Sequence, residues 1–221
     1  MATSDQAIVI GIRTYPKLQS LRGPCHDAEA FREWLTDPDG GDVPAANVKF
    51  LVTDAYSDPD VTEHPNVSEM EDLFGEFVER GVTAVSSGQS LGRRLYIFLA
   101  GHGFSEPSNM TEVALFSANA GSWFAPNLAA TRWAEWFRAN GVFDEVVLVM
   151  DCCRTTSPTS RMVNPPLPAL MGSPRRGNVR WFYAYAVTDG QPARERELEA
   201  GTWRGIFTSA FLEAMAHALP D

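Results

Sequence analysis

The strongest constraint on the fold is an alternation of short apolar runs with amphipathic helical patterns. Five runs rich in β-branched or aromatic residues occupy positions 7–12, 48–52, 95–100, 146–150 and 181–187. Runs that are apolar at every position, instead of alternating with polar residues, are typical of strands buried on both faces of a parallel sheet.

Helical patterns lie between these runs. Apolar side chains recur at three- and four-residue spacing near positions 28–35, 70–78, 133–137 and 207–218, as they do on the buried face of a helix. Asp27 and Thr131 are candidate N-caps of the first and third helices, and Gly141 is a candidate end of the third. The alternation predicts a three-layer α/β/α sandwich with a mostly parallel central sheet and right-handed crossovers.

Length and composition favour one domain over residues 1–221. Its 44% of hydrophobic residues is enough to form one core, and its 221 residues are too few for two domains of typical size. No run approaches the roughly 20 apolar residues of a membrane helix, and the first residues lack the basic start of a signal peptide. We therefore expect a cytoplasmic protein with no membrane partner. The net charge of -10 also argues against a nucleic-acid partner.

An acidic stretch, residues 37–72, holds ten acids against one lysine. Asp54, Asp58 and Asp60 could bind Ca²⁺, but the spacing lacks the glycine and the terminal glutamate of an EF-hand loop. A solvated acidic loop is therefore the favoured interpretation. We expect no required cofactor and no metal site, while activation by Ca²⁺ stays open.

A proline-rich segment, residues 155–178, connects a large portion of the chain (about 1–154) to a small one (about 179–221). It holds five prolines, the arginines Arg161, Arg175 and Arg176, and no acid. Loops of this length inside a compact domain are usually functional or mobile.

Residues suited to catalysis follow two of the predicted strands. Gly101-His102-Gly103 follows the third run, and Asp151-Cys152-Cys153-Arg154 follows the fourth. The carboxyl ends of neighbouring parallel strands meet at one edge of the sheet, where open α/β proteins bind ligands. An imidazole can move a proton and a thiolate can attack a carbonyl carbon, so the pair favours nucleophilic catalysis. The third cysteine is Cys25, and adjacent cysteines suit free thiols better than a disulfide framework.

These motifs resemble those of the caspase, metacaspase and paracaspase group of cysteine peptidases, in its bacterial form. The resemblance runs in order through residues 7–12, 21–28, 96–103, 151–154, 190–195 and 205–208. His102 and Cys153 are 51 positions apart, close to the spacing of about 50 found in caspases. The resemblance implies a caspase-like fold and a cysteine endopeptidase that acts on a protein or peptide substrate. Many bacterial members carry further effector or sensor domains, so this portion is expected to be the N-terminal part of a longer protein.

Carried over residue by residue, the resemblance makes Cys153 the nucleophile and His102 its acid–base partner. The backbone N–H groups of Gly103 and Cys153 would form the oxyanion hole. Cys152 becomes a packing residue, although pattern alone separates two adjacent thiols poorly. Asp27 and Asp151 match the acids of the S1 pocket, which holds the residue before the cleaved bond. Two carboxylates suit a guanidinium, which implies cleavage after arginine or lysine.

Other interpretations remain open. Caspases proper bind aspartate with an arginine of the same early loop, a role that Arg22, or less favourably Arg13, could fill. A catalytically silent interaction module is a second alternative, and the presence of both His102 and Cys153 argues against it. A phosphatase is disfavoured because neither adjacent cysteine begins a Cys-x5-Arg motif.

The resemblance also gives the connecting segment a meaning. Family members often mature from a zymogen by a cut between the large and small portions. With arginine specificity, Arg161, Arg175 and Arg176 would be self-cleavage sites, and a plain flexible linker is the alternative. The chain departs from the metacaspase pattern in having Arg154-Thr155-Thr156 after the nucleophile and Pro24 in the early motif.

Overall fold

The structure of the protein is a computed structural model that describes residues 4–156, 160–165, 167–168 and 177–217. The strands within these ranges are β1 (Gln6–Gly11), β2 (Val48–Val52), β3 (Gly92–Gly101), β4 (Gly103–Glu106), β5 (Asn109–Phe116), β6 (Asn127–Leu128), β7 (Phe143–Cys152), β8 (Arg180–Tyr185), β9 (Glu195–Glu199) and β10 (Thr202–Gly205). The helices are α1 (Pro24–Thr36), α2 (Val67–Ser86), α3 (Ala130–Asn140) and α4 (Ile206–Ala216). None of these helices is both long and apolar enough to cross a membrane.

The central sheet has five strands in the order β2-β1-β3-β7-β8. Each neighbouring pair in it is parallel, and each of the five predicted apolar runs overlaps one of these strands, with the first and last runs extending one and two residues beyond β1 and β8. Alternate side chains of a strand point to opposite faces. Ile8 packs on the side of α2 and α3 with Phe74 and Phe137, whereas Val9 packs on the side of α1 and α4 with Phe31. The predicted three-layer sandwich is confirmed.

Two helix starts differ from the prediction. Helix α1 begins at Pro24 with Gly23 at its N-cap, because proline fits the first turn, where an N–H would have no partner. Asp27 therefore lies inside the first turn and is not the cap. Helix α3 begins at Ala130, and the hydroxyl of Thr131 instead accepts the N–H of Val113 at 3.1 Å.

Two small β elements stand beside the central sheet, and the sequence analysis did not identify either. Strands β4, β5 and β6 form an antiparallel sheet directly after His102, and β9 and β10 form a hairpin before α4. Strand β9 reads Glu-Arg-Glu-Leu-Glu, so it lacks the apolar character by which the buried strands were recognised. Both elements contribute to the site described below.

The close packing of α1 on β1 predicts opposite effects for the same substitution at two glycines. A Cβ on Gly11 would lie 2.5 Å from the carbonyl oxygen of Pro24 and 2.8 Å from the Cβ of Ala28. We expect Gly11→Ala to lower the free energy of unfolding by about 1–3 kcal/mol through overpacking.

Gly75, inside α2, is the matched control because a Cβ there would meet no atom within 4 Å. We expect Gly75→Ala to raise the free energy of unfolding by about 0.5–1 kcal/mol, since alanine is the better helix former. Urea denaturation measures both variants. Shifts of the same sign would contradict this account of the α1–β1 contact.

Candidate active site

The register between β3 and β7 brings the predicted catalytic residues together. Gly101 pairs with Cys152 at the end of the two strands, so His102 and Cys153 are the next residues at the same edge of the sheet. Both line a cleft of about 160 Å³, and Asp27 and Asp151 line it as well. A larger groove of about 610 Å³ lies elsewhere, between α3, β5 and β8.

The backbone around His102 is held by Tyr15. The N–H of His102 donates to the Tyr15 hydroxyl at 2.9 Å, and the two rings lie 4.6 Å apart between centroids. Gly101, just before, has φ 152°, and a Cβ there would lie 2.6 Å from the same hydroxyl. Only glycine fits this conformation and this close approach. These contacts fix the backbone of the Gly101-His102 motif at the end of β3.

The His102 ring has a defined hydrogen-bond partner on one side. Its Nε2 lies 2.7 Å from the carbonyl oxygen of Gln19. A carbonyl can only accept, so in the neutral ring Nε2 carries the hydrogen and Nδ1 is the basic nitrogen. This tautomer leaves Nδ1 able to take a proton from a thiol.

The adjacent cysteines occupy different environments. Cys152 is 1% exposed, and its Sγ packs so closely on Gly103 that a Cβ on that glycine would lie 2.6 Å away. Cys153 is half-buried and lines the cleft. Burial raises the pKa of both thiols, and at Cys153 a hydrogen bond with the backbone of Ala193 acts in the opposite direction. Gly103, the predicted oxyanion donor, begins β4.

Asp27 and Asp151 face each other across Gly205. The N–H of Gly205 donates to both carboxylate oxygens of Asp27, at 3.1 and 2.9 Å, and Arg204 Nε donates to one of them at 3.1 Å. Asp151 accepts from the N–H and the hydroxyl of Thr208, at 3.0 and 2.6 Å. The junction of β10 and α4 therefore fixes both acids at the floor of the cleft.

Both carboxyl groups are buried and hold their protons more tightly than usual. Burial, followed by the charge of Asp151, raises the pKa of Asp27 to about 7, although Gly205 and Arg204 oppose the shift. Burial also raises the pKa of Asp151, with the Thr208 hydrogen bonds acting against it. A cation in the cleft would favour the ionised form of both groups.

Glu195 is a third acid of the cleft and was not identified as a site residue from the sequence. Its carboxylate accepts the N–H of Arg22 at 3.2 Å and the N–H of Gly23 at 3.0 Å. Glu195 thereby ties β9 to the start of α1, where anions are favoured. Its only sequence signal was its place in the family-like stretch 190–195, within a polar strand.

The arginines considered for aspartate recognition have other partners. Arg13 forms ion pairs with Asp54 and Asp60, and Arg22 lies over the ring of Trp203 at 4.8 Å. Neither side chain lines the cleft. Arg194, which was not considered from the sequence, does line it.

The acidic stretch has no arrangement suited to a metal ion within the described ranges. Asp54 and Asp60 bond to the guanidinium of Arg13. No group of three or more His, Cys, Asp or Glu side chains that could hold a metal was found among the residues with assigned positions.

The connecting segment is anchored at Arg161. The Arg161 carbonyl accepts from Asn127 Nδ2 at 2.9 Å, and the N–H of Met162 donates to Glu106 at 2.8 Å. Glu106, Asn127 and Met162 are all buried. Both polar groups of the Arg161–Met162 peptide bond are thus occupied. Arg175 and Arg176 lie outside the described residues.

Arg154 fixes the backbone that follows Cys153. Its guanidinium pairs with Asp189 and donates to the carbonyl of Met110 at 2.8 Å, while its backbone N–H donates to the carbonyl of Gln191 at 3.0 Å. The loop after β8 is thereby held against the end of β7. These contacts give Arg154 a structural role.

Comparison with known proteins identifies a matching family and a relative. The family described as "Caspase domain" matches residues 4–220. A probable protease of a Desulfuromonadales bacterium is 28% identical over 224 residues, which cover 95% of this chain and 25% of that protein. The chain therefore spans about a quarter of the length of this curated relative.

The contrast between the thiols predicts selective alkylation. We expect iodoacetamide to modify Cys153 in the native protein at least about tenfold faster than Cys152 or Cys25, because a thiol must be accessible to react. Peptide mapping by mass spectrometry measures the three rates. In native Cys153→Ala, labelling should be slow until the protein is unfolded. Equal labelling of Cys152 and Cys153 would refute this assignment.

Proposed function

The chain belongs to the caspase-domain family of cysteine peptidases, and we propose that it cleaves proteins after arginine, or lysine, with a His102–Cys153 dyad. The observation that carries the proposal is the cleft itself, which joins this pair to Asp27, Asp151 and Glu195. A nucleophile, its base and a set of carboxylates for a cationic side chain are all within one small site.

The mechanism starts from the tautomer of His102 in which Nδ1 is the basic nitrogen. Nδ1 of His102 takes the Cys153 proton, and the thiolate attacks the substrate carbonyl carbon. The N–H groups of Gly103 and Cys153 would stabilise the resulting oxyanion, at about 2.7–4 kcal/mol per donor in other acyl-transfer enzymes. His102 then protonates the leaving amine. Water, deprotonated by His102, attacks the thioester, the acid product leaves and Cys153 regains its proton.

Electrostatics support a basic residue before the cleaved bond. Among the described residues that line the cleft, three are acids and one, Arg194, is an arginine, while Arg204 pairs with Asp27 from outside this lining. Burial and the charge of Asp151 raise the pKa of Asp27, and a guanidinium would offset both effects, because its planar fork can donate to two carboxylates. Arg194 is the reason to test aspartate substrates as well, since a cation at the cleft could also pair with an acidic side chain.

Self-processing of the connecting segment is the second part of the proposal. Arg175 and Arg176 are its favoured sites, because cleavage after Arg161 first requires that the peptide bond be released from Asn127 and Glu106. A protease acts on a locally extended backbone, so an anchored bond must open before it is cut. The portions joined by the segment would be about 1–154 and 179–221. The greater length of the relative is consistent with further effector or sensor domains.

Matched fluorogenic peptides ending in Arg, Lys or Asp test the specificity. We expect hydrolysis after Arg that Cys153→Ala abolishes and Cys152→Ala retains, since only Cys153 lines the cleft. Assays with and without Ca²⁺ test whether this ion activates the hydrolysis. Cleavage after Asp alone would move recognition to Arg194 or Arg22, and no cleavage by the folded protein would favour a silent module.

Limited trypsin digestion tests the anchor at Arg161 in the Cys153→Ala background, where self-processing cannot occur. We expect Glu106→Ala to speed cleavage after Arg161 by about tenfold or more, since a hydrogen bond to a charged group is worth about 1.5–3 kcal/mol. Glu106→Gln keeps an acceptor oxygen and should protect the bond. Equal rates for all three proteins, by mass spectrometry, would contradict the protection.

A further inference from the structure

The loop between β5 and β6 exposes two adjacent aromatic side chains. Trp123 is 94% exposed and Phe124 is 72% exposed. Tryptophan is highly buried on average, and adjoining exposed apolar side chains often mark a site of interaction. Neither residue has a role in the catalytic geometry described above.

The loop that carries them is held by its own hydrogen bonds. The N–H of Gly121 donates to the carbonyl of Phe124 at 2.8 Å, and the N–H of Ser117 donates to the carbonyl of Pro126 at 3.0 Å. The Ser117 hydroxyl also bonds to Asn119, at 2.7 Å. The loop backbone is therefore ordered before any ligand binds, so that binding a ligand over the two rings would cost little conformational entropy of the loop.

Both ends of the loop lead back to His102. The N–H of Phe116, at the end of β5, donates to the His102 carbonyl at 2.8 Å. Gly121 forms a parallel bridge with Lys17, two residues before Gln19, whose carbonyl binds the His102 ring. The aromatic pair thus belongs to the histidine side of the site. The acids Asp27 and Asp151 are held by other elements, at the β10–α4 junction.

The chemistry of peptide cleavage determines which part of the substrate lies on the histidine side of the site. Because His102 protonates the leaving amine, the substrate residues that follow the cleaved bond must pass by the histidine. We propose that Trp123 and Phe124 bind this part of the substrate and select apolar residues there. The inference rests on the proposed peptidase function and adds a second specificity element to it.

Two kinds of substrate separate this role from catalysis. An arginine aminocoumarin amide has no amino acid after the cleaved bond, whereas internally quenched peptides can carry apolar or polar residues at the three following positions. We expect the Trp123→Ala/Phe124→Ala double variant to lose about tenfold in kcat/KM on the apolar peptide, equivalent to about 1.4 kcal/mol. Its activity on the amide should stay within about twofold of wild type.

Phe182→Ala is the matched control, because Phe182 is an exposed aromatic (49%) on β8 and does not line the cleft. This variant should leave kcat/KM unchanged on both the amide and the apolar peptide. An unchanged apolar-peptide rate in the double variant, or an equal loss on the amide, would overturn the inference.

Binding without turnover makes the result independent of activity. Fluorescence anisotropy with the Cys153→Ala protein and the labelled apolar peptide should show about tenfold weaker binding once Trp123 and Phe124 are also replaced. If the wild type hydrolyses neither substrate, the proposed function fails, and the anisotropy result alone decides whether the two aromatics bind the peptide. Equal affinities would then refute their role.

Discussion

The parallel register of β3 against β7 determines where every other part of the site must lie. Since Gly101 and Cys152 pair at the strand ends, a shift of one residue would turn each side chain to the opposite face. If β7 made this shift, Cys152 would replace Cys153 beside His102 in the cleft. The buried apolar side chains on both faces of the sheet prevent such a shift, so the core defines the geometry of the cleft.

Whereas the core supports the geometry of the cleft, the carboxylates of the cleft lower the stability of the fold. Folding raises the pKa of Asp27 from 3.8 to about 7, so the folded state binds a proton that the unfolded chain releases. The free energy of unfolding therefore falls as pH rises across this interval. Hydrogen bonds from Gly205 and Arg204 limit the loss. A site that destabilises the empty protein can bind a cationic group more strongly, because binding removes the repulsion.

Much of the fold could be predicted from the sequence, because strands buried on both faces leave continuous apolar runs. His102 and Cys153 were predicted as candidates for the same reason: polar residues at the ends of such runs stand out. Glu195 was missed because its strand is polar and its position depends on a hairpin with no apolar signal. The helix-cap interpretation of Asp27 was wrong because its partners, on β10, are distant in sequence. The anchoring of Arg161 likewise depends on side chains from other elements.

The pairing of β7 with β8 has a consequence for the physical integrity of the protein. These neighbours in the sheet come from opposite ends of the connecting segment, and they pair over six positions, from Glu145 with Arg180 to Met150 with Tyr185. The ion pair of Arg154 with Asp189 adds a further link. A nick between them would break the covalent chain while the sheet stayed whole. Two polypeptides would then migrate as one particle until denaturant separated them.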